Sequence, residues 1–175
     1  MCFKVLRYNN LKFSNQQSAI SKTQSGILLI NLGTPDTPHT REVRIFLREL
    51  LSCKRVLDIN PVWRWLLVNF VILPFRSRKS AKAYRKIWLE DGSPLLVYSQ
   101  KLKNALGEQL SEEKIPVELG MQCGRPSLKT AIAKLRGQNC DQIIVLPLYP
   151  QYASSSYGAA IEDLYKVILN DWNMP

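Results

Sequence analysis

The 175-residue sequence holds a single histidine, His39, and that scarcity removes more chemistry than any other feature of its composition. Nucleophilic triads and imidazole-rich metal centres need a histidine with partners. Only Asp36 lies on the same turn, so His39 reads as a surface residue, with metal ligation a distant second. The four cysteines, Cys2, Cys53, Cys123 and Cys140, lie far apart and form no C-x-x-C pair. That spacing argues against a zinc site or a disulfide scaffold and fits a reducing compartment. There is no G-x-S-x-G elbow, no G-x-G-x-x-G fingerprint and no P-loop, so acyl-transfer, dinucleotide and nucleotide-phosphate sites are unsupported. No apolar run reaches the roughly 20 residues that span a bilayer.

Acidic residues are missing from the first 35 positions, which hold 4 Lys/Arg and no Asp or Glu. Residues 1–25, rich in Ser, Asn, Gln and Lys, have neither an Arg-rich amphipathic run nor a secretory apolar core and read as a disordered leader. The formal charge of +10 is unevenly spread: residues 36–88 carry 12 basic against 4 acidic groups, and residues 89–175 carry 8 against 10. A basic half fits an anionic partner, whether nucleic acid, anionic lipid, phosphate or a carboxylate-bearing small molecule, or simply a solvated helix face.

What is present alternates between strand and helix. The stretch G-I-L-L-I-N-L-G-T-P at 26–35 is apolar without alternation, as suits a strand covered on both faces, and Gly33 and Pro35 stop it. Ligands of open α/β sheets gather beyond the carboxyl ends of strands, so residues 31–35 are the first place to look for a site, although most such turns only connect elements. Val43, Phe46, Leu47, Leu50 and Leu51 form a helical apolar stripe ending near Ser52, which Thr37 or Thr40 is placed to cap, with Arg41, Arg44 and Arg48 outward. Residues 62–73, with Trp63 and Trp65, are apolar nearly all round and predict a mostly buried helix, one or two side chains being free to touch a membrane or a flat ligand.

A basic helix follows with Ala81, Tyr84, Ile87 and Trp88 at helical spacing, and 91–94 (D-G-S-P) breaks it. Leu95, Tyr98, Leu102, Ala105 and Leu106 mark one face of the next helix, to Leu110. Residues 117–123 and 142–148 read as strands, 128–135 as a helix, 147–156 as a loop, and Ile161, Leu164, Tyr165, Ile168 and Leu169 as a last helix. This order predicts an α/β fold with a parallel sheet of three strands and right-handed crossovers. The acid pairs Glu112–Glu113 and Glu162–Asp163 read as solvated, and no general base with an orienting partner can be assembled. Arg76, Tyr84 and Ser93 offer a guanidinium, a phenol and a hydroxyl suited to carboxylate oxygens, while Tyr149 and Tyr152 are placed to cover a flat ring.

Four blocks in order carry a family resemblance: G-I-L-L-I-N-L-G-T-P at 26–35, V-I-L-P-F-R-S at 71–77, G-S-P-L-L-V-Y-S at 92–99 and L-P-L-Y-P-Q-Y at 146–152. In these the chain resembles ferrochelatase of the gamma-proteobacterial type. The resemblance implies a chelatase-like, Rossmann-type three-layer domain over residues 26–175, the first half of a two-domain fold with porphyrin in the cleft between halves. It implies insertion of ferrous iron, a substrate and not a resident cofactor, into protoporphyrin IX to give protohaem. It assigns Arg76, Tyr84 and Ser93 to the porphyrin propionates and Leu32 to the macrocycle, with Tyr149 and Gln151 completing the substrate-binding candidates.

Departures matter as much. Gln122 and Cys123 stand where relatives carry a basic residue and a Tyr or His, so those roles do not transfer. Ser154 stands where some relatives place a cluster-ligating cysteine, so no iron–sulfur cluster is expected. The family's histidine block and acidic partner are expected beyond Pro175, which leaves no catalytic residue in this chain and predicts that it is inactive alone. The expected partners are porphyrin, a membrane surface and a second copy through an exposed domain face, without nucleic acid. The expected location is cytoplasmic, peripheral to the inner membrane. A porphyrin- or haem-binding module and a non-functional fragment stay open as alternatives.

Overall fold

The computed structural model describes residues 4–6 and 24–169. The elements in chain order are β1 (Lys4–Leu6), β2 (Ser25–Thr34), α1 (Thr40–Ser52), α2 (Pro61–Leu66), a π-helical turn (Leu67–Ile72), α3 (Leu73–Ile87), α4 (Pro94–Gln109), β3 (Val117–Gly124), α5 (Leu128–Gly137), β4 (Gln142–Pro147), a second π-helical turn (Ser154–Gly158) and α6 (Ala159–Leu169). The sheet runs β1-β4-β2-β3, with β2 parallel to both β3 and β4. The three expected strands are therefore present with β2 at the centre. Lys4–Leu6, inside the stretch read as a leader, adds a short antiparallel strand beside β4, and the rest of residues 1–23 lies outside the described residues.

Layering follows from the alternation of side chains along β2. Leu28 and Ile30 pack on one face against Leu128, Ala131, Ile132 and Leu135 of α5 and Ala160 and Leu164 of α6. Leu29 turns the other way and packs with Leu119 and Met121 of β3 and with Leu96 and Leu106 of α4. A third cluster joins α1, the first π-helical turn and α3 through Val43, Phe46, Leu47, Val68, Leu73 and Ala81. The result is a three-layer α/β domain. Cys53, Cys123 and Cys140 are free thiols.

Several expectations need correction. α1 begins at Thr40, and the capping position is His39, whose side chain makes no cap bond; the Thr37 hydroxyl is buried without a partner among the described residues. The helix expected over 62–73 runs without a break through the π-helical turn into α3, and half of its apolar side chains, Val62, Trp63, Trp65, Phe70 and Val71, are exposed rather than buried. Trp63 is 68% exposed, Trp65 58% and Phe70 63%, and only Val68 and Leu73 are fully enclosed. An all-round apolar pattern cannot say which side meets protein, and here α2 and the turn touch the core by one narrow edge. The Glu162–Asp163 pair is not simply solvated: Glu162 pairs with Arg55, and Asp163 accepts from Gln122 at 3.1 Å.

Two glycines fix how β2 and β3 end. Gly33 has φ +101°, and a β-carbon there would sit 1.7 Å from the Cys123 carbonyl oxygen. Gly124 has φ +84°, and its β-carbon would sit 2.6 Å from the Thr34 carbonyl oxygen. Each glycine lets the other strand's backbone approach, so the strands stay in register to their last residues.

Candidate functional site

A cleft of about 800 Å³ opens at the carboxyl end of β2. Its floor is Asn31, Leu32, Gly33 and Thr34. One wall comes from α1 and α3 through Phe46, Leu47, Leu50, Arg76, Ser80, Tyr84 and Ile87. The other comes from α4 through Leu95, Tyr98, Ser99 and Leu102, with Ser93 and Pro94 at its start, and Leu148 after β4 closes the edge.

The polar groups of the cleft favour an anion. Ser93 is the N-cap of α4, its hydroxyl oxygen accepting the Leu96 N–H at 3.5 Å, and Pro94 follows in the first turn with no acidic residue. The hydroxyl proton stays available, and the unpaired N–H groups of a helix start carry partial positive charge. Arg76 is exposed and forms no ion pair among the described residues. Tyr84 is half-buried between Phe46 and Trp88, whose rings lie edge-on at 6.4 and 6.1 Å. That burial pushes its phenol pKa up, so it stays a neutral O–H donor. Among the described residues lining the cleft there is no carboxylate and no imidazole. The remaining surface is apolar, so the arrangement suits a flat apolar ligand carrying acidic groups.

Four of the seven residues singled out in the sequence, Leu32, Arg76, Tyr84 and Ser93, line this one cleft, and exposed Tyr152 lies outside it. Tyr149 and Gln151 do not. The Tyr149 phenol donates to Gln122 Oε1 at 3.2 Å on the α6 side of the sheet, and Gln151 is exposed on the loop beyond. Burial, with Cys123 and Asp163 nearby, pushes Tyr149 up to about 12. Sequence reasoning missed Leu95, Tyr98 and Leu102 as cleft residues, having read them as an ordinary packed face. Their stripe was the available signal: the helix has an apolar side that protein does not cover, with Tyr98 63% exposed. It also missed Ser99, a buried hydroxyl that accepts from the Asn31 amide at 3.0 Å.

Outside the cleft, α2, the following turn and the start of α3 present Val62, Trp63, Trp65, Phe70 and Phe75 to solvent. At about 100° per residue, Lys79, Lys82 and Lys86 fall on the side of α3 opposite its buried Leu73, Ser77 and Ala81, with Arg78 and Arg85 on the flank. None of these five forms an ion pair among the described residues. No helix among the described residues is long and apolar enough to cross a membrane, and no group of three metal-ligating side chains occurs among them.

Comparison with known proteins gives this geometry a context. Residues 24–175 match the ferrochelatase family model. The ferrochelatase of Coxiella burnetii (strain RSA 493 / Nine Mile phase I) is 50% identical over 139 residues, covering 79% of this chain and 39% of the relative. That of Marinomonas sp. (strain MWYL1) is 49% identical over 149 residues, covering 83% and 45%. That of Escherichia coli O45:K1 (strain S88 / ExPEC) is 45% identical over 154 residues, covering 88% and 48%. The chain thus spans less than half the length of these curated relatives. With its matched region reaching from before β2 to its last residue, the chain belongs to the ferrochelatase family.

Proposed function

We propose that this chain supplies the porphyrin-binding wall of a ferrochelatase, a lyase that inserts ferrous iron into protoporphyrin IX to form protohaem. The observation that carries the reading is the cleft itself: apolar walls, with the cationic Arg76, the Ser93-capped helix start and the Tyr84 phenol lining the same space and no carboxylate to repel acidic arms. In this reading the propionates meet Arg76, Ser93 and Tyr84, and the ring lies against Leu32, Leu95, Leu102 and Leu148. Metal insertion releases two pyrrole protons, and a neutral tyrosine or a guanidinium is a poor acceptor for them. The chain by itself therefore binds porphyrin without inserting metal at an enzymatic rate.

No resident cluster belongs to this proposal. What supports that is Ser154, which offers a hydroxyl instead of a thiolate and accepts from Arg55 Nη1 at 3.2 Å. The exposed Trp63, Trp65, Phe70 and Phe75, beside the five unpaired cations of α3, support a peripheral contact with the cytoplasmic face of an anionic membrane. A second copy covering the same apolar side chains is the competing occupant; nucleic acid has no part in either.

The test is a titration with protoporphyrin IX and with its dimethyl ester. The free acid should bind about tenfold more tightly, and Arg76→Ala should remove most of that difference. Equal affinity of acid and ester in the unmodified chain would overturn the carboxylate assignment. Zinc insertion above the uncatalysed background would overturn the claim that the chain only binds. Vesicle sedimentation decides the membrane contact: binding to phosphatidylglycerol but not phosphatidylcholine is expected, and dimerisation without vesicle binding favours the second copy.

A further inference from the structure

Gln122 is enclosed in β3, only 9% exposed, and its amide is used at both ends. Its Oε1 accepts the Tyr149 O–H at 3.2 Å and its Nε2 donates to Asp163 Oδ2 at 3.1 Å. The other Asp163 oxygen takes Lys166 Nζ at 2.9 Å. One buried side chain thus links the end of β3, the segment after β4 and α6. The residue before Tyr149 is Leu148, which lines the cleft and whose N–H donates to the Ile30 carbonyl at 2.7 Å. A buried amide left without partners is costly, so the side chain has one well-satisfied orientation. Tyr149 must come to it, and its backbone neighbour is carried along.

We infer that Gln122 is a positioning residue for the cleft: by holding the Tyr149 phenol beneath the sheet, it seats Leu148 on the cleft wall. Gln122 and Tyr149 do not themselves line the cleft, so their influence on a bound ring passes through Leu148. This role rests on the proposal that the cleft binds porphyrin, but the placement of Leu148 can be read without any ligand.

The experiment compares Gln122→Ala, Tyr149→Phe and the double variant by amide hydrogen exchange at Leu148 and by protoporphyrin titration. Tyr149→Phe keeps the ring's packing and serves if Gln122→Ala fails to fold. Each single variant should raise Leu148 exchange and weaken porphyrin binding about fivefold, with α1 amides unchanged, and the double variant should add little. Asp163→Asn, which still offers Gln122 an acceptor, should behave like the unmodified chain. Unchanged Leu148 exchange in a folded Tyr149→Phe variant would overturn the inference. Absence of porphyrin binding in the unmodified chain would instead overturn the cleft reading and leave the exchange result to judge Gln122.

Discussion

Asn31 and Ser99 join the central strand to α4 across the cleft floor. The Asn31 side-chain amide donates to Ser99 Oγ at 3.0 Å, while its carbonyl accepts the N–H of Leu32 at 2.8 Å. The same side chain therefore fastens a helix and orients the peptide that carries Leu32. Asn31→Ala removes both bonds and leaves a buried hydroxyl unpaired. It should cost about 1–2 kcal/mol in urea unfolding, and an unaltered midpoint would show that the join contributes nothing.

Alanine at Gly33, Gly124 and Gly92 separates conformational strain from collision. All three have positive φ, but a β-carbon at Gly92 meets nothing within 4 Å, whereas those at Gly33 and Gly124 run into backbone oxygen. Gly92→Ala should cost about 1–2 kcal/mol, from the left-handed conformation alone. Gly33→Ala and Gly124→Ala should each cost more than about 3 kcal/mol or abolish folding. Similar thermal midpoints for the three variants would show that the ends of β2 and β3 part easily.

Ser93 serves both its helix and, in the proposed function, an acidic ligand, and two substitutions pull these apart. Ser93→Ala should lower stability by about 1 kcal/mol through loss of the cap. Ser93→Asp keeps a capping oxygen and adds a negative charge to the cleft, so stability should hold while porphyrin affinity falls at least tenfold. Retained affinity in the aspartate variant would place the propionates elsewhere.

Acid should unpick the tie between α6 and the loop after α1. The Arg55 guanidinium, followed by Lys166, holds the Glu162 carboxyl below its ordinary value of 4.5. A carboxyl lowered in the folded state stabilises above its unfolded pKa, and that gain disappears as pH falls through the lower folded value. Glu162→Gln should therefore reduce the urea midpoint near neutral pH, and the gap should close progressively below pH 4.5. A gap that persists in strong acid would assign the effect to packing.

Cys123 should be chemically silent. Burial, with Glu49 and Asp163 nearby, pushes its thiol up to about 12. At pH 8 the thiolate fraction is then on the order of one in ten thousand. Mass mapping after mild alkylation should find half-buried Cys53 modified and Cys123 untouched until the chain is unfolded. Equal labelling of the two would mean that the end of β3 opens readily.

The alternation of strands and helices was legible because fully covered strands and amphipathic helices leave different periods in a sequence. Leu28, Leu29 and Ile30 could only suit a strand walled on both sides, and they are completely buried. The cleft was half legible. Arg76, Tyr84 and Ser93 stood out by their chemistry, whereas Leu95, Tyr98 and Leu102 looked like any packed stripe, since periodicity reports an apolar side and not what covers it. Tyr149 falls outside the cleft lining for a related reason: a tyrosine after a strand can face either surface of the sheet. Its direction is decided by the buried amide of Gln122, 27 residues earlier in sequence.

The π-helical turn at Leu67–Ile72 has a consequence for residue counting. Such a turn holds an extra residue, so the helical phase upstream is displaced by about 100° from the phase downstream. Trp63 and Trp65 are therefore geared to Arg76 through a counted length of chain, not through a contact. Removing one residue from the turn would restore a regular helix and turn Trp63 and Trp65 by about 100° around the axis relative to α3. Outside enclosed Val68 and Leu73, side chains here can change at little cost to packing, yet a single insertion or deletion would re-aim the whole apolar tip.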